Sequence, residues 1–180
     1  MKKILLAIAA MVSLFAFSIN SNAQSSCSPT LSHGSGFTTS IESVMFDGFD
    51  SNGDSLHTII LRIEHDGCSG DLCKALNQYS IEALPGTYSN ISHAVLVGNM
   101  TANGINTGPS LGGTPFQGFR IASIHGIGNG QAGIFVVQYT LTGGLQRQQT
   151  QIKAGSNQSI VEFQISDFAA VLNCQPYTSI

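Results

Sequence analysis

Residues 56–65 read Leu-His-Thr-Ile-Ile-Leu-Arg-Ile-Glu-His, and this period of two constrains the fold more than any other feature of the chain. Ile59, Leu61 and Ile63 project to one side of an extended backbone, while Thr58, Arg62 and Glu64 project to the other. Successive side chains of a strand point to opposite faces, so the pattern predicts a strand with one buried face. The same period returns at Tyr79, Ile81 and Ala83, at Val95 and Val97, and at Phe119 and Ile121 around Arg120. It returns again at Phe135, Val137, Tyr139 and Leu141, and at Val161, Phe163 and Ile165 against Glu162 and Gln164. Residues 37–46 and 145–152 predict two further strands.

Turn formers separate these runs. Ser51-Asn52-Gly53-Asp54 carries the Asn-Gly pair of a tight hairpin. Leu84-Pro85-Gly86-Thr87, Gly112-Gly113-Thr114-Pro115, Gly126-Ile127-Gly128-Asn129-Gly130 and Thr142-Gly143-Gly144 punctuate the rest. Helical spacing is limited to a turn near residues 72–76 or 168–172. Seven or eight short antiparallel strands at regular spacing predict an all-β sandwich or barrel.

The first residues predict an address. Met1-Lys2-Lys3 precedes an apolar run, residues 4–17, and small residues at Ser21 and Ala23. That pattern is a secretory signal cleaved after Ala23, and its apolar core falls short of the ~20 residues a spanning helix needs. The expected organisation is residues 1–23 as a removable signal and 24–180 as a single domain, with no membrane insertion after cleavage. Without Lys2 and Lys3, five basic residues face ten acidic ones, a net charge of about −5. A chain so short of clustered Lys and Arg is not expected to bind nucleic acid.

All four cysteines, Cys27, Cys68, Cys73 and Cys174, lie after the predicted cleavage point. Export makes disulfides the default use, and four cysteines allow three pairings. The short spacing of Cys68 and Cys73 favours a local loop, leaving Cys27 and Cys174 to tie the ends together. That spacing lacks the paired CxxC knuckles of a zinc site.

Three stretches carry a resemblance: Leu76-Asn77-Gln78-Tyr79-Ser80-Ile81-Glu82-Ala83-Leu84-Pro85-Gly86, then Gly118-Phe119-Arg120-Ile121, and then Phe135-Val136-Val137-Gln138-Tyr139-Thr140-Leu141 followed by Ile152-Lys153-Ala154-Gly155. In order and composition they resemble the immunoglobulin-like β-sandwich domains of secreted and surface proteins of Bacteroidota-type bacteria. The resemblance implies an immunoglobulin-like sandwich and an adhesive, structural or accessory role.

The candidate sites are few. Asp47, Asp50, Asn52 and Asp54 offer oxygen ligands for Ca²⁺, although the glycine and glutamate positions of an EF-hand are not met. Their alternative role is to cap their own turn. Asp66 and Asp71 could join such a site if the fold brought them close. His33, His57, His65, His93 and His125 have no HxH or HExxH spacing and read as core or surface histidines. No Gly-x-Ser-x-Gly elbow is present, and Glu64, Glu82 and Glu162 read as outward charges rather than a glycosidase pair. Gln146, Arg147, Gln148, Gln149 and Gln151 give one strand polar groups on both faces. Amides both donate and accept hydrogen bonds, which suits sugar hydroxyls; the same polarity also suits an exposed edge strand.

These readings converge on a secreted or outer-surface, non-enzymatic binding or adhesive module. Gln146, Arg147, Gln148 and Gln149 are its candidate ligand residues, and a glycan or a surface protein is its partner. The alternatives are a structural, self-assembling surface protein and a small secreted hydrolase. Beyond the Ca²⁺ considered above, no cofactor is expected.

Overall fold

The computed structural model describes residues 27–84, 87–108 and 117–174. The signal reading for residues 1–23 lies outside the described residues, as do Pro85-Gly86 and the turn at residues 112–115. Within them, ten strands and one helix follow in order. They are β1 (Thr30–Gly34), β2 (Phe37–Phe49), β3 (Ser55–His65), β4 (Leu76–Glu82), β5 (Tyr88–Val97) and β6 (Ile105–Gly108), then β7 (Gly118–Ala122), β8 (Gly133–Thr142), β9 (Gln148–Ala154), β10 (Asn157–Phe163) and α1 (Ile165–Asn173).

Two antiparallel five-stranded sheets face each other as a sandwich. The first has the order β1-β2-β3-β8-β5 and the second β10-β9-β4-β7-β6. The two strands that the periodicity missed are β1 and β6. Both are short edge strands with too few residues to show an alternation.

The alternation supplies the core. Ile59, Leu61 and Ile63 of β3 pair with Tyr139, Val137 and Phe135 of β8, so all six point inward together. Opposite them, Tyr79 and Ile81 of β4 pair with Ile121 and Phe119 of β7. Tyr79 meets Phe135 edge-on, with ring centroids 5.9 Å apart, and Phe119 meets Tyr139 at 5.1 Å. Each such side chain, fully buried, contributes about 1.5–3 kcal/mol. On β5 the alternation is weaker. Two bulges interrupt this edge strand, and Val95 and Val97 remain 38% and 51% exposed.

Gly118 is required where β7 meets β4. A Cβ there would lie 2.1 Å from the Ile81 carbonyl oxygen and 2.8 Å from the Ala83 nitrogen. Its φ of 149° also lies in the half of conformational space that favours glycine.

Helix α1 follows β10 directly. The Asp167 carboxylate accepts the Gln164 backbone N–H at 2.7 Å, which satisfies a group exposed where the helix begins. Phe168 and Val171 face the core, with Phe168 against Phe163 at 5.9 Å. The helix packs on β2 and delivers Cys174 to Cys27, whose Cα atoms are 6.2 Å apart. Cys68 and Cys73 form the second disulfide, in the link from β3 to β4, so the expected pairing is the one present. Among the described residues, no helix is long and apolar enough to cross a membrane.

Candidate functional site

The glutamine-rich strand, β9, is not an edge strand. It lies between β10 and β4, and its two faces do different work. Gln148 and Thr150 share the inward face with Ile152 and Ala154, paired with Phe163, Val161 and Ser159 of β10. Gln148 is 0% exposed, and the buried Tyr139 hydroxyl donates to its Oε1. A surface role for Gln148 is therefore corrected: its amide satisfies a phenol that would otherwise lie unpaired in the core. Burial pushes the Tyr139 hydroxyl well above its ordinary pKa, so this phenol stays protonated and donating.

Gln149, Gln151 and Lys153 point outward. Register places Gln151 opposite Ser80 of β4 on one side and Ile160 of β10 on the other, while Arg120 of β7 and Asn106 of β6 continue the same row. Lys153, Gln78 and Ala122 form a neighbouring row. Ser80 is 0% and Gln151 2% exposed although the register sets both on the outward side. Arg120 Nη1–H donates to Gln78 Oε1 at 3.3 Å, and Gln78 Nε2–H donates to Ser80 Oγ at 2.9 Å. Arg120 Nε and Gln151 Oε1 have no protein partner. The outward face of the second sheet is thus a floor of amides, a hydroxyl and a guanidinium.

Glu162 gathers the end of this floor. Gln149 Nε2–H donates to it at 2.9 Å, Gln164 Nε2–H donates at 2.7 Å, and the Arg147 guanidinium lies 3.6 Å away. The two amides, then Arg147, hold its carboxyl below the ordinary glutamate range. This is the opposite of what a general acid needs. Beside it, Gln146 and Arg147 of the β8–β9 link join Glu82, Ala83, Leu84 and Gln117 around a cleft of about 400 Å³. Three of the four predicted ligand residues, Gln146, Arg147 and Gln149, therefore lie at one connected surface. Glu82, Gln117, Gln78, Ser80 and Arg120 belong with them and come from two other segments of the chain, β4 and the start of β7.

The hairpin acids, the His65 cluster and His33 are accounted for locally. Asp50 Oδ1 accepts the backbone N–H groups of Asn52 and Asp54 at 2.8 and 2.9 Å. Asp47 instead accepts the Thr58 hydroxyl at 2.6 Å, so these carboxylates cap a hairpin and a neighbouring strand rather than converging. His65, Asp66 and Cys68 do converge, with their ligand atoms within 4.8 Å of one another. The Cys68 sulfur is held in a disulfide, however, and His65 accepts the Gly67 N–H at Nδ1 (3.0 Å) and donates from Nε2 to the Ser35 carbonyl (3.2 Å). His33 lies at the seam where β1 and β10 meet. Its Nε2 is 2.9 Å from the Thr39 hydroxyl and its Nδ1 3.3 Å from the Ser159 carbonyl. Comparison with known proteins gives no matching family model and no matching curated protein.

Proposed function

We propose that this is an exported, non-enzymatic binding module that holds a glycan on the outward face of its second sheet. The observation that carries the reading is the outward row of polar groups on the second sheet, with Gln149 half-buried at the surface over the buried Gln78, Ser80 and Gln151, continuous with the cleft at Gln146 and Arg147. Such groups both donate and accept, as a saccharide's hydroxyls require. Export, to the cell surface or the medium, is supported by the leader pattern in residues 1–23 and by two disulfides, which persist in oxidising compartments. The sandwich and the resemblance of its strand motifs to immunoglobulin-like surface domains agree with an adhesive role.

The test is retention of the oxidised protein on a panel of immobilised polysaccharides, repeated with Arg147→Ala and Gln149→Ala. Selective retention by at least one polymer, weakened tenfold or more by either substitution at unchanged Tm, is the expected result. No retention by any polymer would refute the reading.

Self-assembly is the second reading, and β5 favours it. This ten-residue edge strand carries no charged side chain and leaves Val95 and Val97 exposed. An uncharged edge is a template for strand pairing. Concentration-dependent oligomers in sedimentation, dissolved by Val95→Lys, would support it.

A further inference from the structure

We infer that the ligand of this face is an acidic glycan, a carboxylated polysaccharide whose carboxylates are held by Arg120 and Lys153; the inference rests on the glycan reading above. The chain after its leader has five cations, and three of them, Arg120, Arg147 and Lys153, belong to the outward side of the second sheet and its adjoining cleft. Only two of its ten acids, Glu82 and Glu162, accompany them. The rest of the molecule carries eight acids against two cations. This face is therefore positive on a molecule that is otherwise strongly negative.

Pairing sharpens the contrast. Arg62 is bonded to Glu64 at 3.1 Å, Lys74 lies 3.7 Å from Asp71, and Arg147 lies 3.6 Å from Glu162. Among the described residues, Arg120 and Lys153 alone of the five have no carboxylate within 4.0 Å. Arg120 is held instead by the neutral Gln78 amide, which orients the guanidinium without neutralising it. Its planar fork matches a carboxylate with two parallel hydrogen bonds.

The spacing suits an extended anion. Arg120 faces Ser80, Lys153 faces Gln78, and β4 separates their strands. Two strand spacings and a two-residue offset put the two Cα atoms about 12 Å apart. That span fits an oligosaccharide with a charge on separate sugars. Gln78, Ser80 and Gln151 lie between them in the register, buried beneath the path, and Gln149 is half-buried farther along β9. Two unpaired cations suit a sparsely charged polymer. A densely sulfated one would meet the eight acids of the remaining surface.

The experiment is titration of the oxidised full chain with a polyuronate, with the same polymer after its carboxyls are reduced to alcohols, and with dextran sulfate. Binding should be selective for the polyuronate, weaken as salt is raised, and fall at least tenfold in Arg120→Gln. Arg120→Lys should give an intermediate loss, since it keeps the charge and loses the fork. Tm is measured on each variant, and Lys153→Gln serves as a second variant that leaves the Arg120–Gln78 bond in place. Equal binding of the carboxyl-reduced polymer would overturn the acidic assignment and leave the glycan reading standing. Equal or tighter binding of dextran sulfate would overturn it as simple charge attraction. No binding of any polymer here or in the wider panel would refute both.

Discussion

His33 should make stability depend on pH in a calculable way. The ring is buried at the seam between the two sheets, where the Thr39 hydroxyl donates to Nε2 and Nδ1–H donates to the Ser159 carbonyl. Burial lowers its pKa from 6.5 to about 4, against a smaller opposing effect of the Ser159 carbonyl. In the unfolded chain the imidazole titrates normally, so between these values the unfolded state binds more protons than the folded one. Stability from this group is therefore complete above pH 6.5, declines as pH falls, and is gone below about pH 4. At about 1.4 kcal/mol for each tenfold change in proton affinity, the loss is about 2 kcal/mol at pH 5 and about 3 kcal/mol at pH 4. Urea denaturation from pH 7.5 to pH 4, on wild type and His33→Gln, isolates the effect, because distant titrations cancel in the difference. Wild type should lose about 3 kcal/mol more than the variant across that range. Parallel stability curves would refute the reasoning, since they would mean that His33 protonates as readily in the fold as out of it.

Two further perturbations test the fold. Gly118→Ala places a methyl group 2.1 Å from the Ile81 carbonyl oxygen, so the β4–β7 ladder must part; a loss of about 2–4 kcal/mol, read as a Tm fall of several degrees, is expected. Replacing both Cys27 and Cys174 by serine should cost far more than replacing Cys68 and Cys73. Sequence separations of 147 and 5 residues correspond to about 5 and about 2 kcal/mol of loop entropy, a ranking that denaturant midpoints would check.

What the sequence made legible followed from local periodicity. The alternation in β3 and β8 is visible because the central inward positions, Ile59, Leu61 and Ile63 against Tyr139, Val137 and Phe135, are apolar or aromatic, and the α1 region showed itself through Phe168 and Leu172. The alternation in β9 is hidden because the core accepts Gln148 and Thr150 at inward positions, where the Tyr139 hydroxyl needs a partner. An interior strand thereby takes on the composition of an edge. The site was half legible for a related reason. Gln146, Arg147 and Gln149 are close in sequence, whereas Gln78, Ser80 and Arg120 reach them only through the β4–β7 and β4–β9 registers. Register between strands tens of residues apart leaves no mark in either segment alone. The hairpin acids are close in sequence and part in the fold: Asp47, at the irregularity of β2 between Phe46 and Gly48, accepts the Thr58 hydroxyl, while Asp50 accepts the N–H groups of its own turn.

The Cys27–Cys174 bond has a mechanical consequence. It joins the segment before β1 to the end of α1, with the two Cα atoms 6.2 Å apart. A pulling force applied between these residues runs through one covalent bridge, and the strands between them carry no tension. Unzipping a hairpin or shearing one sheet from the other would first require that bridge to be reduced. Anchored by its two ends, the oxidised protein would transmit load like a closed link, with its sandwich and glutamine-rich face undistorted. A reducing agent would turn the same link into an extensible chain.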